Sequence, residues 1–530
     1  MADIPANLSH VYKFQLDGGE VRNMNDSNNN LAANFAASSS PVQEFYRDGC
    51  VLITGGTGFV GKALIEKLLR SCPEISTIFV LIRPKRGLDP DSRFRELLKN
   101  TVFDRIREEN RGLLKKIVPI SGDLTQTDFG LSECDRIRLL AEVTVVFHSA
   151  ATVRFNEALK DAVDLNTRAT QRVVEFCANI HNLKALVHIS TAYSNADKRV
   201  VEEVVYKPPA SPAGVMDFCQ TFNDQTLEDL SESLIQTSNH PNTYTLTKAM
   251  AEWIVHEEAN SFPTAIVRPS IVTAAWKEPV PGWVDNISGI TGIMMEIGRG
   301  TIRSIICDDQ LTVDIVPVDT VVNTLVAAAW HVHTYRGEKA RVYNCTTGSL
   351  NGIYWHELGK LTKKHALNVP TKYIQWYPGF SFRTNRFMHW IIHILFHFMP
   401  AFFIDSILRL QGAKPIMMRI CDKFKRTAKV GEFFALHEWD FKCDNQKSLS
   451  ANMTAKDRKL FQSDVSQLRW DEYIKHYMVG IRKYVLKDSM DSLPTAKQKL
   501  QRFYYLHRCS QIAAVFMLLK LVGLHEISFN

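Results

Sequence analysis

Tyr244 and Lys248 stand four residues apart in Asn242-Thr243-Tyr244-Thr245-Leu246-Thr247-Lys248, and Ala249-Met250-Ala251-Glu252-Trp253 continues the stretch as helix. A spacing of four places both side chains on one helical face. The pairing suits proton transfer. A phenol with an ordinary pKa of about 10 is a poor acid–base catalyst at neutral pH, and a neighbouring ammonium stabilises the phenolate and lowers that value. Upstream, the apolar run Ala185-Leu186-Val187-His188-Ile189 reads as a strand ending in Ser190 and Thr191, either of which could put a second hydroxyl on a substrate carbonyl. A Tyr-x-x-x-Lys standing alone is more often a surface helix pair, so its neighbours decide its meaning.

The most informative neighbour is Leu52-Ile53-Thr54-Gly55-Gly56-Thr57-Gly58-Phe59-Val60-Gly61. A buried strand runs into glycines spaced G-x-x-G-x-x-G (Gly55, Gly58, Gly61), and helical periodicity follows from Lys62 to Arg70. Such a turn lets backbone approach a pyrophosphate, and the helix N-terminus offers free N–H groups to it. This context favours a dinucleotide site over a plain tight turn. The second strand, Thr77-Ile78-Phe79-Val80-Leu81-Ile82, ends in Arg83 with Lys85 and Arg86 close behind. An Asp or Glu at that position would hold a ribose 2′-hydroxyl, whereas Arg83 suits a 2′-phosphate. The alternative is a solvated basic loop; we favour NADPH.

Further segments recur in order: Gly122-Asp123-Leu124, the stretches 146–155, 166–170 and 189–195, Arg268-Pro269-Ser270-Ile271-Val272, the stretch 314–319, Tyr343-Asn344-Cys345-Thr346, Trp470-Asp471-Glu472-Tyr473 and 480–484. With the glycine turn and Tyr244/Lys248, this ordered set resembles the extended short-chain dehydrogenase/reductases and, within them, the alcohol-forming fatty acyl-CoA reductases. The resemblance covers residues 48 to 490. It implies a Rossmann-type α/β fold with a doubly wound parallel sheet, followed by a smaller, mainly helical C-terminal domain. It places Gly55, Thr57, Gly58, Phe59, Val60 and Gly61 at the cofactor phosphates, Arg83 at the 2′-phosphate and Asp123 and Leu124 near the adenine. Ala150 and Ala151 would line the wall beside the ribose, and Pro269 would follow the strand bordering the nicotinamide. Asp123 could equally be a turn former, since Gly-Asp is a turn dipeptide.

The same resemblance implies Tyr244 as catalytic acid, Lys248 as its partner and Thr191 (or Ser190) as the second hydroxyl. The implied reaction is reduction of a long-chain or very-long-chain fatty acyl-CoA by NADPH to the primary alcohol through a bound aldehyde. No metal and no covalent cysteine take part in it. The alternatives are an extended-family dehydrogenase acting on a sterol or other lipid alcohol or ketone, and a membrane-tethered NADPH-binding protein without turnover.

Composition fits a soluble catalytic body. The chain has 530 residues, 45% of them hydrophobic and 22% charged, too many for one ordinary core. We divide it into a disordered segment 1–45, a reductase domain 46–355, a C-terminal domain 356–490 and a membrane-associating tail 491–530. The net charge of +7 needs no nucleic acid, because no helix-turn-helix, zinc-finger or RNA-binding pattern accompanies it. Ten scattered cysteines without a C-x-x-C pair indicate reduced thiols in a cytosol-facing compartment. No signal-peptide core follows Met1. A long insertion beginning near Tyr206 is a candidate lid or acyl guide.

Two apolar stretches point to membrane lipid as a partner. In 387–404, His389, His393 and His397 share one helical face, which reads as a wet stripe on a membrane-lying helix rather than a metal site, and Pro400 should break or kink the helix. The run 511–524, with Lys520 inside, is short of the roughly 20 apolar residues that span a bilayer. It reads as a marginal anchor, an interfacial helix or a buried docking helix. A membrane-associated protein with a cytosol-facing catalytic domain follows, on the endoplasmic reticulum, with peroxisome and lipid droplet as alternatives. A homo-oligomer is compatible with all of this.

Overall fold

The computed structural model describes residues 40–85 and 87–527. Seven strands, β1 (Cys50–Thr54), β2 (Thr77–Ile82), β3 (Ile117–Ser121), β4 (Val143–His148), β5 (Ala185–Ile189), β6 (Thr264–Pro269) and β7 (Arg341–Cys345), form one sheet in the order β7-β6-β5-β4-β1-β2-β3. Every pairing is parallel. Apolar runs such as Cys50-Val51-Leu52-Ile53 are buried end to end, as expected where helices cover both sheet faces. The strand order reverses between β1 and β4. In an open α/β sheet, the crevice beyond the strand ends at that reversal is where a ligand binds.

The helices that matter for the site are α1 (Pro41–Tyr46), α2 (Phe59–Ser71), α3 (Pro90–Leu98), α4 (Thr243–Glu258) and α5 (Val318–Thr334). Further along the chain lie α6 (Arg386–His393), α7 (Met399–Leu410), α8 (Met417–Ala435) and α9 (Leu493–Ile527). Two buried clusters sandwich the sheet. One joins α2 and α5 through Leu64, Leu68, Val321 and Leu325, and the other joins Leu52, Phe79, Val146 and Ile266 to the helices behind them.

Within the segment expected to be disordered, 1–45, the described residues from Ser40 on are structured instead. Residues 1–39 lie outside the described residues, but the Ser40 hydroxyl accepts from the Gln43 N–H at 3.1 Å and starts α1. That helix buries Val42, Phe45 and Tyr46, and the Tyr46 hydroxyl donates to the Val326 carbonyl at 2.9 Å. A serine cap with proline in the first turn is local chemistry easily lost inside a polar low-complexity run.

The C-terminal part is not packed as a body of its own. Leu449, Met453 and Phe461 complete the α2/α5 core. Helix Trp470–Gly480 fastens to the segment after β6: the Tyr473 hydroxyl lies 2.7 Å from both the Ala274 carbonyl and the Thr273 hydroxyl, and that of Tyr477 2.7 Å from the Thr291 hydroxyl. The insertion after Tyr206 forms helices Pro212–Thr221 and Asp224–Ser238, which bury Val215, Met216 and Leu227 against Leu246, Met250 and Ile254 of α4. It buttresses α4, the helix that carries Tyr244 and Lys248.

From α6 the helix runs on through a π segment, Ile394–Phe398, into α7. Pro400 neither breaks nor ends it. The extra residue of a π turn absorbs the hydrogen bond that proline cannot donate. The histidine stripe is not wet. His389 bonds the Ser304 hydroxyl at 2.9 Å, and the His397 ring accepts from the Arg303 N–H at 3.1 Å. Phe387, Trp390, Phe396 and Phe403 face outward instead. The polar stripe is the side that finds partners, because the neighbouring backbone and arginine offer hydrogen bonds that the apolar side cannot use.

Candidate active site

Each glycine of the turn answers to a steric demand. Gly55 has φ +73, and a Cβ there would stand 2.6 Å from the Ala150 nitrogen. A Cβ on Gly61 would collide with the Gly55 carbonyl oxygen, so this position brings α2 down onto the turn. Gly58 is the N-cap of α2 with no side chain capping it, and the first turn's N–H groups face the crevice. The opposite wall is pinned by buried His148, whose ring bonds the Thr54 hydroxyl at 2.8 Å and that of Thr170 at 3.0 Å. Burial, assisted by Lys248, pushes the His148 ring down to about 3, so it serves as a neutral strut. The Ala150 N–H also donates to Thr54, at 3.3 Å. This sets Ala150 and Ala151 across from Gly55. Phe59 stacks on Trp283 with ring centroids 5.3 Å apart, and Val60 is half-buried beside it. A narrow, glycine-cradled crevice closed by backbone is the shape a dinucleotide pyrophosphate needs.

At the end of β2, Arg83 lies 3.7 Å from Asp123, and both are partly exposed. Asp123 is also a turn former: it accepts from the Thr125 N–H and hydroxyl at 3.0 Å each. Leu124 is buried beneath it, and its carbonyl accepts from Arg172 at 2.9 Å. Arg86 lies outside the described residues. A further cation was missed. Arg93 of α3 donates to the Arg83 carbonyl and, at 2.9 Å, to the Thr57 hydroxyl inside the glycine turn. No spacing in the sequence announces it, because the loop folds α3 back over the turn.

The catalytic end is built on α4. Asn242 caps the helix, accepting from the Thr245 N–H at 3.0 Å. Tyr244 and Lys248 follow on one face. The Thr191 hydroxyl accepts from the Tyr193 N–H at 3.3 Å and lies near enough to the Tyr244 phenol to favour its ionised form. Lys248 donates to the Ile189 carbonyl at 2.6 Å, fixing the helix to the end of β5. Burial drives the two groups in opposite directions. It pushes Tyr244 up to about 12 against the bond from Thr191, and Lys248 down to about 8 against the field of Glu252. The lowering expected from the lysine neighbour is not found: desolvation comes first, Thr191 is the group that lowers the phenol, and the Glu252 charge raises it further.

Ser190 does not join them. Its hydroxyl donates to Glu252 at 2.5 Å, as that of Ser194 does at 2.9 Å. Glu252 in turn forms a fully buried ion pair with Arg268, 2.7 Å apart. Glu252 stands four residues beyond Lys248 on the same face, so the spacing that singled out Tyr244 and Lys248 could have flagged it too. Asn166, inside the π-helical segment Val163–Arg168, is another positioning group. It accepts from the Thr152 N–H at 2.8 Å and donates to the Thr247 hydroxyl at 3.0 Å, tying the loop after β4 to α4. Phe155 on that loop stacks on Tyr244, centroids 5.6 Å apart. Pro269 closes β6, where the Ser270 N–H donates to the Cys345 carbonyl.

Two family profiles, both described as male sterility protein, match residues 53–325, as an NAD-binding domain, and 396–488. Fatty acyl-CoA reductase 1 of Rattus norvegicus is 41% identical over 461 residues, covering 87% of this chain and 89% of that protein. The chain belongs to the fatty acyl-CoA reductase family. Fatty acyl-CoA reductase 2 of Mus musculus is 37% identical over 483 residues, covering 91% and 93%. Among solved structures, the reductase domain of a Mycobacterium tuberculosis nonribosomal peptide synthetase superposes with TM-score 0.55 at 17% identity, covering 82% of this chain and 92% of that one. The terminal R domain of the myxalamid pathway gives 0.52 at 18%, covering 82% and 90%. At that identity these two speak for the fold alone. The first half of this family member is thus an NAD(P)-binding Rossmann domain.

The two adjacent hydroxyls should separate in function. Thr191→Ala should lower kcat by about tenfold or more, the scale of a donor lost at a developing oxyanion, with the melting temperature nearly unchanged. Ser190→Ala should instead lower the melting temperature, because it leaves Glu252 short of a partner, and keep kcat within a few-fold. Steady-state kinetics beside thermal denaturation read both, and the reverse pattern would exchange the two assignments.

Proposed function

We propose that this chain reduces long-chain fatty acyl-CoA to the primary alcohol with NADPH, through an aldehyde that stays bound. Its similarity to proteins named fatty acyl-CoA reductase 1 and 2 supports the reductase class. The observation that carries the chemistry is Tyr244, with Thr191 beside its phenol and Lys248 anchored one helical turn away, at the mouth of a crevice shaped for a dinucleotide. When bound, the nicotinamide supplies hydride, once to the thioester carbonyl carbon and once, from a second molecule, to the aldehyde. Tyr244 and Thr191 hold the oxygen that gains charge in each step. Collapse of the first adduct breaks the carbon–sulfur bond and releases CoA thiolate, a good leaving group. In the second reduction Tyr244 would give its proton to the alkoxide, and Lys248, held at the end of β5, would help restore it. With its pKa pushed up to about 12, Tyr244 carries that proton at neutral pH.

Anaerobic assays with purified protein should show two NADPH consumed per alcohol formed, only when a long-chain acyl-CoA is present. Tyr244→Phe should lower the rate at least ~10²-fold, the scale of general acid–base catalysis, with NADPH binding unchanged. A sterol or sugar nucleotide that drives turnover where acyl-CoA does not would overturn this assignment.

NADPH over NADH is supported by Arg83 at the end of β2 and by Arg93 behind it. Arg83→Asp replaces a phosphate partner with a carboxylate suited to a ribose hydroxyl. The ratio of kcat/KM for NADPH to that for NADH should fall about tenfold or more, roughly the 1.4 kcal/mol of one charged contact. If Arg93→Ala lowers it and Arg83→Asp does not, α3 holds the 2′-phosphate.

The protein associates with membrane lipid while its catalytic domain faces the cytosol. Among the described residues, Arg386–Leu410 is the one helix long and apolar enough to cross a bilayer, and it is mostly exposed. Its outward Phe387, Trp390, Phe396 and Phe403 lie along the surface while the histidines bind the protein, which suits a helix lying in the interface. The tail helix α9 leaves from the same side. Phe503 and His507 pack on Trp376 and Tyr377, which Arg303 also holds beside His397. Two elements far apart in sequence thus share one mounting. Removing residues 510–530 should free only part of the protein from membranes, and adding Trp390→Glu and Phe403→Glu should free the rest, with activity on soluble acyl-CoA retained. If the truncation alone releases everything, α6 and α7 play no part in membrane binding.

A further inference from the structure

Helix α8 connects the exposed helix to the catalytic tyrosine. It follows α7 after a short turn, and its Glu432 pairs with Arg386 at the start of α6. Two residues past Glu432, Phe434 reaches the reductase domain. Its ring is 5.2 Å from that of Phe155, the ring stacked on Tyr244, and 5.1 Å edge-on from that of Tyr193. A continuous aromatic surface therefore runs Tyr244–Phe155–Phe434 from the reacting centre onto the C-terminal part of the chain. A Cβ placed on Gly431 would meet no described atom within 4 Å. Gly431 and Phe434 are three residues apart, on one helical face. A glycine inside a 19-residue helix costs about 1 kcal/mol relative to alanine, and here no turn and no close neighbour requires it.

We propose that the face of α8 bearing Gly431 and Phe434 is the subsite for the acyl chain, and that these two residues set the chain lengths accepted. This rests on acyl-CoA being the substrate. With the thioester carbonyl at Tyr244 and Thr191, the chain leaves over Phe155 and Phe434, passes through the space beside Gly431 and continues towards the outward apolar face of α6 and α7. Rings flank the methylenes nearest the carbonyl, where only dispersion and apolar burial are needed. The open space beside Gly431 accommodates the distal ones. Neither residue touches the reacting atoms, so both act on specificity and not on the chemical step.

The experiment measures kcat/KM of the full chain across saturated acyl-CoAs of increasing length. In Gly431→Leu, the added side chain should cut the value for the longest substrates about tenfold or more, within the range that a few methylenes command in an apolar pocket. The effect should lie mainly in KM, and the shortest substrates should be little affected. Leucine favours helix more than glycine does, so loss of folding is not the expected outcome, and an unchanged melting temperature checks that. Phe434→Ala should move the optimum to longer chains, and Phe434→Leu should restore much of the original profile. Two results would overturn the subsite: variants whose profiles run parallel to that of the unmodified protein, merely scaled down, or variants indistinguishable from it. If the unmodified protein reduces no acyl-CoA of any length, the substrate assignment itself is refuted, and the subsite with it.

Discussion

The ion pair between Glu252 and Arg268 is the contact on which the catalytic end depends. Neither side chain is exposed, and Glu252 also receives Ser190 and Ser194, while Arg268 donates to the carbonyls of Glu202 and Val204. Two charges removed from water are tolerable only when nearly every donor and acceptor is matched, and removing one partner of such a pair costs about 3–5 kcal/mol. That stringency sets position. The pair joins α4 to β6, Ser190 joins it to the end of β5, and the entry to the loop beyond Val201 is fixed with them. The pair and its serine partners thus fix how α4, which carries Tyr244, sits against the end of β5, which Thr191 follows.

Burial does the remaining tuning. The same desolvation that holds the proton on Tyr244 pulls Lys248 down towards neutrality, and Glu252 limits how far it falls. The site thus holds a tyrosine that keeps its proton at neutral pH, as the proposed acid must, and a lysine brought down to about 8. On the cofactor side the same logic is steric. Gly55 and Gly61 remove side chains where backbone must meet backbone, and His148, kept neutral by burial, spaces the opposite wall. Both halves are held by buried contacts within the protein itself, the kind of preorganisation that makes donors aimed at developing charge effective.

The C-terminal part contributes in another way. It supplies Leu449, Met453 and Phe461 to the reductase core and Phe434 to the aromatic surface beside Tyr244, so the two halves share packing rather than merely touching. Its apolar helix is amphipathic in the inverted sense, polar side inward. So large an exposed apolar face is unusual on a soluble surface, and the proposed contact with lipid rests on it.

Much of this was legible in the amino-acid sequence because it is local. Continuous apolar runs, the glycine triplet and a four-residue spacing are written in neighbouring residues, and they determined the parallel sheet, the crevice at β1 and the face of α4 that carries Tyr244 and Lys248. The family resemblance added the order of the motifs. What the sequence could not decide is whatever needs a partner distant along the chain. Ser190 and Thr191 are equivalent as letters; only the position of Glu252, 62 residues away, assigns one to the ion pair and leaves the other to the phenol. Arg93 reaches Thr57 across 36 residues. The histidine stripe turns inward because Arg303 and Ser304 wait there, and α1 exists as packed structure because Val326 and its core lie behind it. Spacing is set by backbone geometry and can be read one turn at a time, whereas desolvation and hydrogen-bond satisfaction belong to the folded surroundings and appear only once the chain has closed on itself.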